Sequence, residues 1–158
     1  MNALFVVDLQ DEFVKDNKGK KIYQADLDYI QRTRGQYDAI YAAVYINKQN
    51  INMLRMVGWT EMQKKVRPMK FTPDDFWTHD GYAISTYPFQ RTDKVDIIGF
   101  DTDACVLNAC FDLFNRNINF RILVNGCWSS GGAEMHKAGL TVMKRQFRNA
   151  VDELTKVY

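Results

Sequence analysis

Two residues stand where nucleophilic chemistry could be done. Asp8 closes the apolar run Leu4-Phe5-Val6-Val7, and Cys105 follows a second run, residues 95–100, across the turn Asp101-Thr102-Asp103-Ala104. A thiolate is a strong nucleophile, and a nearby carboxylate can take the thiol proton. The turn reads as a strand end leading into a helix, with Thr102 as the N-cap and Cys105 in the first helical turn. Free backbone N–H groups there can hold an oxyanion, and the positive end of the helix dipole is expected to depress the thiol pKa. Read one at a time, both residues have ordinary alternatives: free cysteines are often packing residues, and an aspartate after a strand often caps a loop.

The remaining thiols and imidazoles are few. Cys110 falls on an apolar helical stripe and reads as core, whereas Cys127 reads as packing near the wall of the site. Three cysteines without CxxC spacing do not make a disulfide framework, and reduced thiols suit a cytoplasmic protein. His79 and His136 are the two histidines; without an HxH or CxxC pair, a zinc site has little support from the sequence. His79 reads as an exposed loop residue and His136 as packed on a helix stripe.

The elements that must position these residues are legible as runs and stripes. Residues 4–7, 40–46, 95–100 and 120–124 are short apolar runs without strict alternation, as in strands buried on both faces. Helical spacing appears over residues 26–37, 102–117 and 133–147. Alternation of the two types predicts one domain over residues 1–158, an α/β/α sandwich around a mostly parallel sheet of roughly six strands. Residues 58–89 lack periodicity and read as irregular connections. In such sheets ligands bind beyond the carboxyl ends of the strands, which singles out Asp8, Asn47, residues 101–105 and residues 126–130.

The segment Val6-Val7-Asp8-Leu9-Gln10-Asp11-Glu12-Phe13 resembles the opening motif of the isochorismatase-like hydrolases, a family that includes nicotinamidases. Gly99-Phe100-Asp101-Thr102-Asp103-Ala104-Cys105-Val106 resembles their nucleophile motif, and Val124-Asn125-Gly126-Cys127-Trp128-Ser129-Ser130 is similar to their downstream segment. The resemblance implies an Asp–Lys–Cys triad in which Asp8 is the base and Cys105 the nucleophile. It also implies an oxyanion hole from the backbone N–H groups of Asp101 and Cys105, entered through a cis Phe100–Asp101 peptide bond. Phe13 and Tyr87 become candidate substrate-binding aromatics, and a homo-oligomer is expected.

The family's lysine has no counterpart in this chain. It normally precedes a segment similar to Tyr82-Ala83-Ile84-Ser85-Thr86-Tyr87-Pro88-Phe89, which puts its position between residues 81 and 84, and none of these is lysine. Lys70 or His79 is expected to replace it; alternatively, the chain is a catalytically inactive relative that binds a small ligand or a protein. The Asp-x-His pair that holds the metal of nicotinamidases is also missing. The expected activity is therefore a metal-independent, cofactor-free hydrolysis of a small amide or related small molecule.

Composition narrows the partners. Lys plus Arg is 21 against 19 for Asp plus Glu, a net charge of +2, which points to neither nucleic acid nor membrane. The basic stretch Lys64-Lys65-Val66-Arg67 reads as solvated surface. No apolar run approaches the roughly 20 residues of a membrane span.

Overall fold

The computed structural model describes residues 1–59 and 68–158, so the basic stretch at residues 64–67 lies outside the described residues. Among these, six strands form one parallel sheet: β1 (Asn2–Val7), β2 (Ala39–Tyr45), β3 (Asp75–His79), β4 (Lys94–Phe100), β5 (Asn119–Trp128) and β6 (Val151–Asp152). Their order is β3-β2-β1-β4-β5-β6. The helices are α1 (Asn17–Thr33), the short α2 (Ile51–Arg55), α3 (Cys105–Asn115) and α4 (Ala133–Phe147).

The sheet is buried on both faces, which is why its central strands read as continuous apolar runs. Along β1, Ala3, Phe5 and Val7 join one core with Val106, Ala109, Cys110 and Leu113 of α3 and Met143 and Phe147 of α4. The alternate residues Leu4 and Val6 face the other core, with Ile22, Tyr23, Tyr29 and Ile30 of α1. The result is the expected α/β/α sandwich. No helix among the described residues is long and apolar enough to cross a membrane.

Several boundaries differ from the sequence reading. The segment 58–89 is not wholly irregular, because it contains β3. This is an edge strand with three of its five residues exposed, so no apolar run marks it. α1 begins at Asn17, well before the predicted residue 26; Asp16 caps it by accepting from the Gly19 N–H at 2.6 Å. β5 runs on through Gly126 and Cys127 to Trp128, which had read as the loop after the strand. The C-terminal segment contributes the two-residue β6.

The topology fixes where a site can lie. From β1 the chain steps outward to β2 and β3, then returns to the other side of β1 as β4. Strand order therefore reverses between β1 and β4, the place where sheets of this kind bind ligands beyond the carboxyl ends of their strands. Gly99 lets the two strands close up there. Its φ is +131°, and a Cβ at this position would lie 1.9 Å from the Val7 carbonyl oxygen. Gly139 plays a related part in α4, where a Cβ would lie 2.8 Å from the Thr102–Asp103 backbone; its absence lets α4 press on the turn before Cys105.

Candidate active site

Asp8 is the first residue beyond β1. It leaves the strand with φ +49°, a left-handed conformation that aspartate tolerates better than most residues, and its N–H donates to the Ala43 carbonyl at 3.0 Å. Cys105 is the first residue of α3, beyond the adjoining strand. His79 ends β3 and pairs in register with Tyr45 of β2. Three strand ends thus deliver an acid, an imidazole and a thiol to one place. One carboxylate oxygen of Asp8, a ring nitrogen of His79 and Cys105 Sγ all lie within 4.8 Å of one another.

The His79 contacts define its charge. Nδ1 lies 2.7 Å from the Gly81 carbonyl oxygen, and Nε2 lies 2.7 Å from Asp8 Oδ1. Both neighbours are acceptors, so satisfying both requires a proton on each nitrogen, that is, an imidazolium. The side chains are 6% and 0% exposed. Burial works against the charged ring, but the charge of Asp8, its hydrogen bond and the Gly81 carbonyl outweigh burial and raise the His79 pKa above its ordinary value. His79 is therefore a strand-end residue with a buried side chain rather than the exposed loop histidine that its position suggested. It stands two residues before the segment where the family lysine was sought.

The thiol does not behave as its place in the sequence implied. Burial, followed by the negative charge of Asp8, pushes Cys105 well above the ordinary thiol range. Position at a helix start is outweighed by desolvation and by a carboxylate alongside, so the thiol is protonated at rest. Asp8 Oδ2 is buried with no hydrogen-bond partner among the described residues.

The turn between β4 and α3 is also not capped as expected. Thr102 is not the N-cap: Ala104 holds that position, and the Thr102 hydroxyl pairs with His136 Nδ1 at 2.7 Å. His136 itself packs against Trp128, with ring centroids 4.6 Å apart. The Phe100–Asp101 peptide bond is cis. Among the described residues, neither the Asp101 N–H nor the Cys105 N–H donates to a protein acceptor. The Asp101 carboxylate accepts from the Ser130 N–H at 2.7 Å and the Ser130 hydroxyl at 2.5 Å. Burial nonetheless pushes its pKa up to about 7 against those two bonds.

The remaining candidates separate. Phe13 is buried and stacks on Trp59 at 5.2 Å; both rings lie near Tyr45, which in turn meets the His79 ring at 5.7 Å. Tyr87 is 55% exposed and reaches Asp75 at 3.5 Å, at the opposite end of β3 from His79. Four residues of strand, about 13 Å, separate those ends, so Tyr87 is not placed with the cluster. Lys70 is exposed, pairs with Asp11 at 3.3 Å and lies over the Tyr23 ring. Cys110 and Cys127 are buried packing residues, as expected. Two neighbours escaped the sequence reading. Tyr45 lay hidden in an apolar run, and Tyr82 has its pKa raised by burial first and then by its acidic neighbours Asp103 and Asp101.

Comparison with known proteins agrees with this architecture. Residues 64–153, which include His79 and Cys105, match the isochorismatase domain family, and the chain belongs to it. No curated protein matches the chain in sequence. Among solved structures, nicotinamidase PncA from Bacillus subtilis superposes with a TM-score of 0.72 at 18% identity, covering 96% of this chain and 99% of that one. N-carbamoylsarcosine amidase from Thermoplasma acidophilum gives 0.73 at 18% identity, covering 99% and 96%. A ribonuclease from Caenorhabditis elegans gives 0.67 at 18% identity, covering 99% of this chain and 77% of that one. At such identities the likeness establishes the fold and not the reaction.

Proposed function

We propose that this protein hydrolyses a small amide, or a chemically related small molecule, through a Cys105 thioester, with Asp8 as base and His79 as the resident cation. The observation that carries the reading is the buried cluster itself: Asp8 is hydrogen-bonded to His79 at 2.7 Å, and Cys105 Sγ lies within 4.8 Å of both. Two structural neighbours, a nicotinamidase and an amidase, support an amide as the substrate class.

The site starts as a neutral thiol beside a carboxylate–imidazolium pair. Sulfur attacks the carbonyl carbon while the thiol proton passes to Asp8, whose Oδ2 has no other partner. The carbonyl electrons move onto oxygen, where the Asp101 and Cys105 N–H groups can donate to the anion. Collapse of the adduct breaks the C–N bond, and Asp8 returns its proton to the leaving nitrogen. Water then attacks the thioester, again giving its proton to Asp8, and Cys105 leaves and is reprotonated. Throughout, His79 supplies the positive charge that a lysine would otherwise supply. Neither a metal nor an organic cofactor is required by this sequence of steps. Phe13, with Trp59 and Tyr45, forms an aromatic wall on the His79 side of the site.

The test is ammonia release from a panel of small primary amides, with hydroxylamine present in parallel to trap a thioester. Turnover that disappears in Cys105→Ala, together with a hydroxamate product, is the expected result. Turnover that survives in Cys105→Ala would overturn the mechanism. Absence of turnover across the panel would favour the inactive, ligand-binding relative.

A further inference from the structure

We propose that Asp8, His79 and Cys105 also bind a divalent transition-metal ion, Zn²⁺ foremost, and that the ion switches the thiol off. The proposal rests on the reading of Cys105 as nucleophile only for its consequence, not for the binding itself.

Among the described residues, this is the one group of His, Cys, Asp and Glu side chains whose donor atoms converge as a metal site requires, all within 4.8 Å. Sulfur, imidazole nitrogen and carboxylate oxygen are the donors that zinc takes in proteins, and three protein donors with an open fourth position is a common zinc arrangement. Two further observations point the same way. His79 Nδ1 is anchored on the Gly81 carbonyl at 2.7 Å, which leaves Nε2 as the ligating nitrogen once it loses its proton. Asp8 Oδ2 is buried and has no hydrogen-bond partner among the described residues, so the carboxylate keeps an uncommitted donor oxygen. A lysine in place of His79 would offer an ammonium with donors but no lone pair. The residue that preserves positive charge beside Asp8 is therefore also one that can ligate a metal.

The required movement is small. Tetrahedral zinc with bonds of about 2.0–2.3 Å holds its donors about 3.3–3.6 Å apart. The widest pair of the cluster must close by roughly 1 Å, and the His79–Asp8 pair must open by roughly half that as the ion replaces the proton between them. Charge also balances. At rest, an imidazolium faces a carboxylate. On binding, His79 and Cys105 each release one proton to solvent, and the divalent ion faces a carboxylate and a thiolate. Both states are neutral overall, as a buried site demands. Once ligated, the sulfur lone pair and the Asp8 carboxylate are committed to the metal, so nucleophile and base are lost together.

The metal-stripped protein would be titrated with Co²⁺ and then Zn²⁺. The expected result is a near-ultraviolet sulfur-to-cobalt charge-transfer band with visible bands of four-coordinate cobalt, both displaced by zinc. One equivalent of Zn²⁺ should slow iodoacetamide alkylation of Cys105, read by peptide mass, by about tenfold or more, and EDTA should restore it. Cys105→Ser should abolish the charge-transfer band, and His79→Lys should abolish metal binding while circular dichroism stays unchanged. An absent band, a band that survives Cys105→Ser, alkylation indifferent to zinc, or zinc-stimulated hydrolysis would each overturn the proposal. The metal readouts need no substrate. A protein that binds zinc yet cleaves no amide would refute only the hydrolase reading, and an active enzyme indifferent to zinc would refute only this one.

Discussion

His79 Nε2 stands 2.7 Å from Asp8 Oδ1 across the carboxyl end of β2, which separates β3 from β1, with both side chains buried. That pairing gives Asp8 a fixed cationic neighbour, an imidazolium whose pKa the Asp8 charge and hydrogen bond raise above the ordinary histidine value against the effect of burial. It makes the behaviour of the site depend on pH in a way that can be measured.

In metal-free buffer, turnover should fall as pH rises through the His79 pKa, which lies above the ordinary 6.5. His79→Lys should move that alkaline limb upward, and His79→Gln should lower kcat by about 100-fold or more, by analogy with removing an oxyanion donor. Stability follows the same sign. A pKa raised in the folded state contributes stability that is complete below the unfolded value and is lost as pH rises through the folded one. His79→Gln should remove that alkaline loss in denaturant titrations run across the pH range.

Asp26, on α1, should behave as a destabilising acid at neutral pH. It is fully buried, neither oxygen has a partner among the described residues, and burial holds its pKa well above the ordinary carboxylate value. The unfolded chain loses this proton near pH 3.9, whereas the folded chain keeps it to much higher pH, so folding stability declines as pH rises between the two. Asp26→Asn removes the titration. Stability relative to wild type should therefore rise as pH increases from 4 to 7 in urea melts, and a difference independent of pH would contradict the raised Asp26 pKa.

Gly99→Ala should be costly wherever it is measured. The added Cβ meets the Val7 carbonyl at 1.9 Å, a backbone atom in the central strand, at a φ of +131°. A loss of about 3 kcal/mol or more is expected. Gly35→Ala is the control. Nothing lies within 4 Å of its added Cβ, and stability should change by less than about 1 kcal/mol.

Much of this architecture was legible in the residues. β1, β2, β4 and the start of β5 are buried on both faces, so their apolar runs announced them. Asp8 and Cys105 could then be placed at one sheet edge by topology alone. β3 was not legible for the opposite reason: as an edge strand its exposed Asp75, Phe76 and Thr78 break any apolar pattern. Its aromatic and β-branched Phe76-Trp77-Thr78 was the available signal. Without β3, His79 could not be assigned to a strand end, and the lysine replacement stayed open between His79 and Lys70. The thiol's high pKa was hidden because it depends on burial and on the Asp8 charge, both properties of the folded site. Thr102 was misread as a cap because its partner, His136, is 34 residues away in sequence.

The central claim, that Asp8 is the base for Cys105, is tested most directly by alkylation of Cys105 with iodoacetamide in wild type and Asp8→Asn, in metal-free buffer at pH 7. The two possible roles of Asp8 have opposite signs. If Asp8 removes the thiol proton during attack, Asp8→Asn slows alkylation, by about tenfold or more for a lost general base. If Asp8 is only a negative neighbour that keeps the thiol protonated, removing its charge lowers the thiol pKa and Asp8→Asn alkylates faster. Slower labelling with an unchanged fold is the result predicted; faster labelling would contradict the mechanism.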